Sequence, residues 1–150
     1  VELLCRHNED MMIQEYMDGT EYGADVYVDM LTGKVTSIFV KEKVKMRAGE
    51  TDKSVSVKDA KLFELIKKFV ESVGFCGIID IDIFKVDGTY YISEVNPRFG
   101  GGYPHAYACG VNVPAQIIRN LEGAANEENI GDYEENICMM KYNEIMIRKL

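Results

Sequence analysis

The sequence lacks what nucleic-acid binding, membrane insertion and disulfide chemistry each require. Its 17 Lys and Arg stand against 25 Asp and Glu, a formal net charge of -8 in 150 residues, whereas a nucleic-acid backbone is met by a basic surplus. No apolar run approaches the roughly 18 residues of a membrane span, and the opening VELLCRHNEDMM has no signal-peptide layout. Cys5, Cys76, Cys109 and Cys138 form no C-x-x-C pair and sit among apolar residues, so they read as reduced, cytoplasmic thiols. A zinc site would need His7 or His105 to join them from distant segments, which the closed ligand sets of zinc disfavour. Internal repeats, low-complexity tracts, linkers and a Ser-His or Cys-His constellation are also missing. What remains is 47% hydrophobic, enough for one core. The chain starts without methionine, as a fragment would.

Turn signals divide the chain. MMIQEYM, TEYGADVYVDM and KVTSIFVKEKVKMR, separated at Asp18-Gly19 and Thr32-Gly33, read as three strands of an antiparallel meander. Residues 48–57, AGETDKSVSV, are polar and aperiodic and read as a loop. Ser56 with Asp59 resembles a capping box, after which Leu62, Leu65, Ile66, Phe69, Val70 and Val73 recur at helical spacing until Gly74. A hairpin follows, CGIIDIDIFKV and TYYISEVN around Asp87-Gly88. VPAQIIRNLEG, with Pro114 near its start and Gly123 past its end, is a helix. Residues 122–136 form a loose acidic loop, and ICMMKYNEIMI is a last strand. The fold class is α+β, an antiparallel sheet with packed helices.

The hairpin carries the chemistry. Glu94 and Asn96 are two apart and share a face, as do Asp80 and Asp82. A two-residue loop at 87 and 88 would pair Val86 with Thr89 and set Asp82 opposite Ser93. A three-residue Asp87-Gly88-Thr89 loop would set Asp82 across from Glu94. Hydrophobicity favours the second, which gathers Ile79, Ile81, Ile83, Tyr91 and Val95 on one face. Opposed carboxylates repel unless a cation lies between them, so neutralising one should stabilise the metal-free chain. Oxygen ligands from Asp, Glu and Asn suit magnesium, which keeps positions free for water and phosphate. The alternative is a solvated acidic face that binds nothing.

Arg98 can meet phosphate oxygens bidentately, and Gly100, Gly101 and Gly102 let backbone N–H groups approach an anion. In KEKVKMR, Lys41, Lys43, Lys45 and Arg47 alternate and would share one side of a strand. They either face an anion or protect an edge strand from aggregation.

Together, Asp82 and the run Glu94-Val95-Asn96-Pro97-Arg98 resemble the metal-binding signature of ATP-grasp ligases, particularly the carbamoyl phosphate synthase large chain and its carboxylate-amine ligase relatives. The resemblance extends over about residues 12–123 through QEYMDGTEYGADVYVD and GYPHAYACGVNVPAQIIRNLEG. It implies an ATP-grasp large-lobe fold that binds ATP with Mg2+ or Mn2+. Glu15 and Met17 would lie at the adenine, Glu21 would accept from the ribose hydroxyls, and Asp82, Glu94 and Asn96 would hold the metal. Arg98 would be catalytic, facing the γ-phosphoryl. Arg47 and Lys53 are favoured among the cations because related ligases have a similar arginine-glycine-lysine pattern. The partners implied are ATP and small carboxylate and amine substrates.

The family also has a preceding domain and a smaller lobe, for which there is no room before Met12. The chain is therefore expected to be one C-terminal lobe, residues 1–150 as a single domain, inactive by itself and open to self-association through an apolar face. The rival readings are a non-catalytic nucleotide-binding module that needs a partner chain and a plain interaction domain.

Overall fold

The computed structural model describes residues 13–149. Six strands form one antiparallel sheet: β1 (Thr20–Val28), β2 (Val35–Arg47), β3 (Glu50–Val57), β4 (Gly77–Val86), β5 (Thr89–Asn96) and β6 (Cys138–Met140). Their order is β5-β4-β1-β2-β3-β6. The described residues also form three helices: α1 (Ala60–Val73), α2 (Tyr103–Ala108) and α3 (Val113–Leu121). No described helix is long and apolar enough to cross a membrane.

The back face is apolar. Ala24, Val26 and Val28 of β1, Ile38 and Val40 of β2, and Ile79, Ile81 and Ile83 of β4 are fully buried against Leu62, Ile66 and Val70 of α1, each valine, leucine and isoleucine worth about 1.5–3 kcal/mol on transfer from water. Asp59, not Ser56, caps α1, accepting from the Lys61 and Leu62 amides, and Gly74 ends it in the left-handed region at φ 81°. Part of the front face is covered by a second cluster, in which Tyr27 and Phe39 pack with Ala106, Val111, Val113 and Tyr133. The rest of that face is open, polar around Asp80 and Asp82 and aromatic at Phe84 and Tyr91.

Residues 48–57 are not a loop. Ala48 and Gly49 take positive φ of 51° and 79°, a two-residue hairpin turn that brings Glu50–Val57 back along β2 as β3. Its polar residues are buried because distant groups bind them. The Ser54 hydroxyl meets His105 Nδ1 at 2.8 Å, while Ser56 Oγ donates to the Glu134 carbonyl and accepts from the Ile137 amide.

Residues 13–17 form no strand, and the start of the expected first strand lies outside the described residues, as do Cys5 and His7. The final strand is only three residues long, pairing Cys138, Met139 and Met140 with β3. Segment 122–136 is tied to the sheet rather than loose. Tyr133 is buried and its hydroxyl donates to the Val57 carbonyl at 2.7 Å while accepting from the Val40 amide. At the other end Asn126 binds Asp29 Oδ2 through its amide and side chain.

Candidate active site

The hairpin of β4 and β5 has a two-residue turn, Asp87 at φ 49° and Gly88 at φ 80°, and Val86 pairs with Thr89. That corrects the three-residue loop. Asp82 nevertheless pairs with Glu94, because the register slips between Asp82 and Ile83. Ser93 is the unpaired residue of this bulge, which restores on the strand what the shorter turn removes. The correction moves the aromatics: Tyr90 and Ile92 pack on the core, and Tyr91 is exposed on the opposite face with Phe84 as its pair. Asn96 pairs with Asp80, two residue pairs beyond the acids and on the same face.

Two adjoining cavities open on this face. The larger, about 660 Å³, is lined by Glu15, Met17, Glu21, Phe84, Tyr91 and others. The smaller, about 240 Å³, contains Lys43, Asp80, Asp82, Glu94, Asn96 and Arg98 on its walls. Glu21 borders the first and is bound to Lys43 of the second at 2.8 Å. Seven of the nine candidate residues line these two cavities. Arg47 lies at the end of β2 in a neighbouring cavity shared with Glu50, and Lys53, paired with Lys45 and Met140, lines neither main cavity.

The basic stripe is not an edge strand, since β2 lies between β1 and β3. Nor do its four cations stay on one side, because the pairing with β3 slips around Val44 and Lys45. Lys41 is fully buried in an ion pair with Asp25, whose Oδ1 has no partner among the described residues. Lys43 donates to Asp82 Oδ1 at 2.6 Å and Glu21 Oε1 at 2.8 Å. Burial pulls its pKa down, but these two bonds outweigh it and raise the value. Lys45 turns outward, 3.9 Å from Asp52.

Lys43 therefore supplies a cation to Asp82, one of the two opposed carboxylates, and shares it with Glu21 rather than Glu94. This contact argues against the expectation that removing the Asp82 charge stabilises the metal-free chain. The signal available in the sequence was the coincidence of charges inside strands, Glu21 and Asp25 in β1 with Asp80 and Asp82 in β4. Asp80 itself is pushed up to about 6, first by burial and then by Asp25 and Asp82, with Lys41 and Lys43 opposing.

The glycine run also meets a packing need. A Cβ on Gly100 would stand 2.5 Å from the Asp80 carboxylate, and one on Gly102 would stand 2.6 Å from Lys41 Cε. The glycines let the chain close over buried charges. Arg98 Nη1 donates to the Phe99 carbonyl and lies 4.0 Å from Asp80 Oδ2, with its side chain 61% exposed.

Among the described residues no three His, Cys, Asp or Glu side chains converge as a metal cluster. The site offers two carboxylates and the Asn96 amide, facing a polar cavity. That donor set fits magnesium, which commonly takes one or two carboxylates and fills its octahedron with water and phosphate.

A family model described as "ATP-grasp in the biosynthetic pathway with Ter operon" matches residues 7–145. The carbamoyl phosphate synthase arginine-specific large chain of Geobacillus stearothermophilus is 29% identical over 141 residues, 88% of this chain and 13% of that protein. Among solved structures, a biotin carboxylase–β-γ-ATP complex from Campylobacter jejuni superposes with a TM-score of 0.67 at 18% identity, covering 83% of this chain and 30% of that one. The biotin carboxylase domain of Hydrogenobacter thermophilus 2-oxoglutarate carboxylase, in complex with MgADP, ADP and bicarbonate, gives 0.64 at 16% identity with the same coverages of 83% and 30%. The chain thus spans under a third of each of these relatives.

Proposed function

Because the chain belongs to the ATP-grasp family, we propose that it is the ATP- and magnesium-binding catalytic lobe of a carboxylate-amine ligase of the carbamoyl phosphate synthase kind, acting in the cytoplasm. The observation that carries this reading is the pairing of Asp82 with Glu94 beside Asn96, on the wall of a cavity that also holds Arg98. In it, Glu15 and Met17 border the adenine through backbone groups, and Glu21 accepts from the ribose hydroxyls. Asp82, Glu94 and Asn96 hold Mg2+, with Mn2+ as a substitute. When bound, the metal neutralises phosphate charge and orients the triphosphate.

Arg98 faces the γ-phosphoryl, where a guanidinium gains most as charge develops in the transition state. A carboxylate oxygen of the substrate attacks the γ-phosphorus, the bond to the ADP oxygen breaks, and an acyl phosphate results. An amine then attacks its carbonyl carbon and phosphate leaves. Positioning and charge neutralisation suffice for both steps. Arg47 and Lys53 serve as outlying cations for the same anion. The preceding domain and smaller lobe of a complete enzyme are part of the proposal.

Equilibrium titration of the purified chain with Mn2+ and ATP, followed by water-proton relaxation, tests it. Saturable binding that disappears in Asp82→Asn and Glu94→Gln, with circular dichroism unchanged, is the expected result. Binding that persists in both variants would overturn the metal assignment and leave a nucleotide module without catalysis.

A further inference from the structure

Lys43 and Asp82 belong to strands that are not neighbours. β1 runs between β2 and β4, so the lysine stem must cross a whole strand, a distance of roughly 9–10 Å between the outer backbones. It crosses at Gly23, which pairs with Lys41 on one side and Asp82 on the other. A Cβ at Gly23 would lie 3.2 Å from Cε of both Lys41 and Lys43. The missing side chain is a passage, and through it Lys43, with a side chain 5% exposed, reaches one carboxylate from β1 and one from β4.

We infer that Lys43 is a resident counter-ion of the nucleotide site, holding Glu21 and Asp82 while the site is empty and passing to the triphosphate when a metal–nucleotide complex enters. The inference rests on the functional reading above, which gives Asp82 to the metal and Glu21 to the ribose. A divalent cation at Asp82 competes with the ammonium for that carboxylate and repels it from its place 2.6 Å from Oδ1. The released ammonium has a destination, because Lys43 lines the same cavity as Arg98 and Glu94. A four-carbon stem with free rotation turns there without backbone movement.

The other charges around it do not compete for the role. Lys41 is held by Asp25, and Lys45 points toward Asp52. The consequence is coupling: metal alone must displace Lys43 with nothing to receive it, whereas metal and nucleotide together supply both the displacing cation and the receiving anion.

The experiment is a Mn2+ titration of the purified chain, read by electron paramagnetic resonance without and with ATP, for the wild type, Lys43→Met, Lys43→Arg and Asp82→Asn. Removing the ammonium in Lys43→Met should tighten Mn2+ alone by about tenfold and weaken ATP in the presence of Mn2+ by a comparable factor. Lys43→Arg should restore the wild-type order of affinities. A merely structural ion pair predicts the reverse for Mn2+ alone, since a loosened Asp82 would bind it equally or less well; that result overturns the inference while the loss in Asp82→Asn still upholds the metal site. Wild type and Asp82→Asn binding Mn2+ alike would sink the metal site and the counter-ion together. Should Lys43→Met fail to fold, Gly23→Ala narrows the passage without removing the lysine and is expected to tighten Mn2+ alone in the same direction. No change there counts against the inference.

Discussion

Gly100 lies against Asp80 so closely that a Cβ would stand 2.5 Å from the carboxylate carbon. Gly100→Ala should therefore cost about 1–3 kcal/mol, the usual penalty of overpacking, although its backbone has no positive φ to strain. Denaturant unfolding measures the loss. Asp80→Ala in the same chain should recover most of it, because the atoms in conflict are gone; simple additivity of the two changes would refute the contact.

The buried pair of Lys41 and Asp25 predicts a second asymmetry. Lys41→Met strands a carboxylate that is 1% exposed and should destabilise by about 3–5 kcal/mol. Lys41→Met with Asp25→Leu removes both charges and should be substantially more stable than Lys41→Met alone. Urea unfolding of the two variants decides it, and equal midpoints would mean that Asp25 finds another partner.

Asp82→Asn in metal-free buffer should destabilise rather than stabilise, by about 1–2 kcal/mol, because it weakens a charge-assisted bond to a buried ammonium. A raised melting temperature would show that repulsion from Glu94 dominates.

The back face was legible because its periodicities are local: helical spacing from Leu62 to Val73, and alternating isoleucines in β4. The site face was legible only in its ends. Asp82 and Glu94 could be matched by hydrophobic alternation, yet the true device is a tight Asp87-Gly88 turn plus a bulge at Ser93. Two different combinations of turn and bulge give the same pairing, and alternation does not distinguish them. β3 was hidden for another reason. ETDKSVSV has the composition of a loop, and the groups that satisfy Ser54 and Ser56 come from His105, Glu134 and Ile137, far along the chain. Lys43 was visible within a basic stripe, but its partners depend on which strands flank β2 and on the absence of a side chain at Gly23.

His105 gives stability a pH dependence. It is 2% exposed, with Nδ1 at Ser54 Oγ and Nε2 donating to the Ile137 carbonyl. Burial first, and then the Lys41 charge, hold its pKa below the ordinary value. The unfolded chain therefore takes up a proton that the folded one refuses. Stability is full above the ordinary imidazole range near 6.5 and falls as pH drops toward the lower folded value, at up to about 1.4 kcal/mol per pH unit. Asp80, raised to about 6, acts in the opposite sense over the same window, so the His105 contribution is read from urea midpoints between pH 7.5 and 5 as the difference between the wild type and His105→Gln. An unchanged slope would assign the dependence to other groups.

The last prediction concerns turnover: the purified chain should bind MgATP and release no phosphate at a sustained rate. The open geometry is the reason. Tyr16 is 87% exposed beside the larger cavity, and the Arg98 side chain is 61% exposed beside the smaller one. Water thus reaches both the proposed base pocket and the proposed γ-phosphoryl position. Charge stabilisation by Arg98 is worth far less in that setting than in a closed, dry site. Misplacement of the phosphoryl group by about 1 Å would cost roughly a further hundredfold. Phosphate release with MgATP, bicarbonate and ammonia is the assay, with ATP binding followed in parallel. Binding without turnover is the expected pair of results. Sustained release that disappears in Arg98→Ala would instead mean that this chain, alone or with a second copy, assembles a complete and closed site.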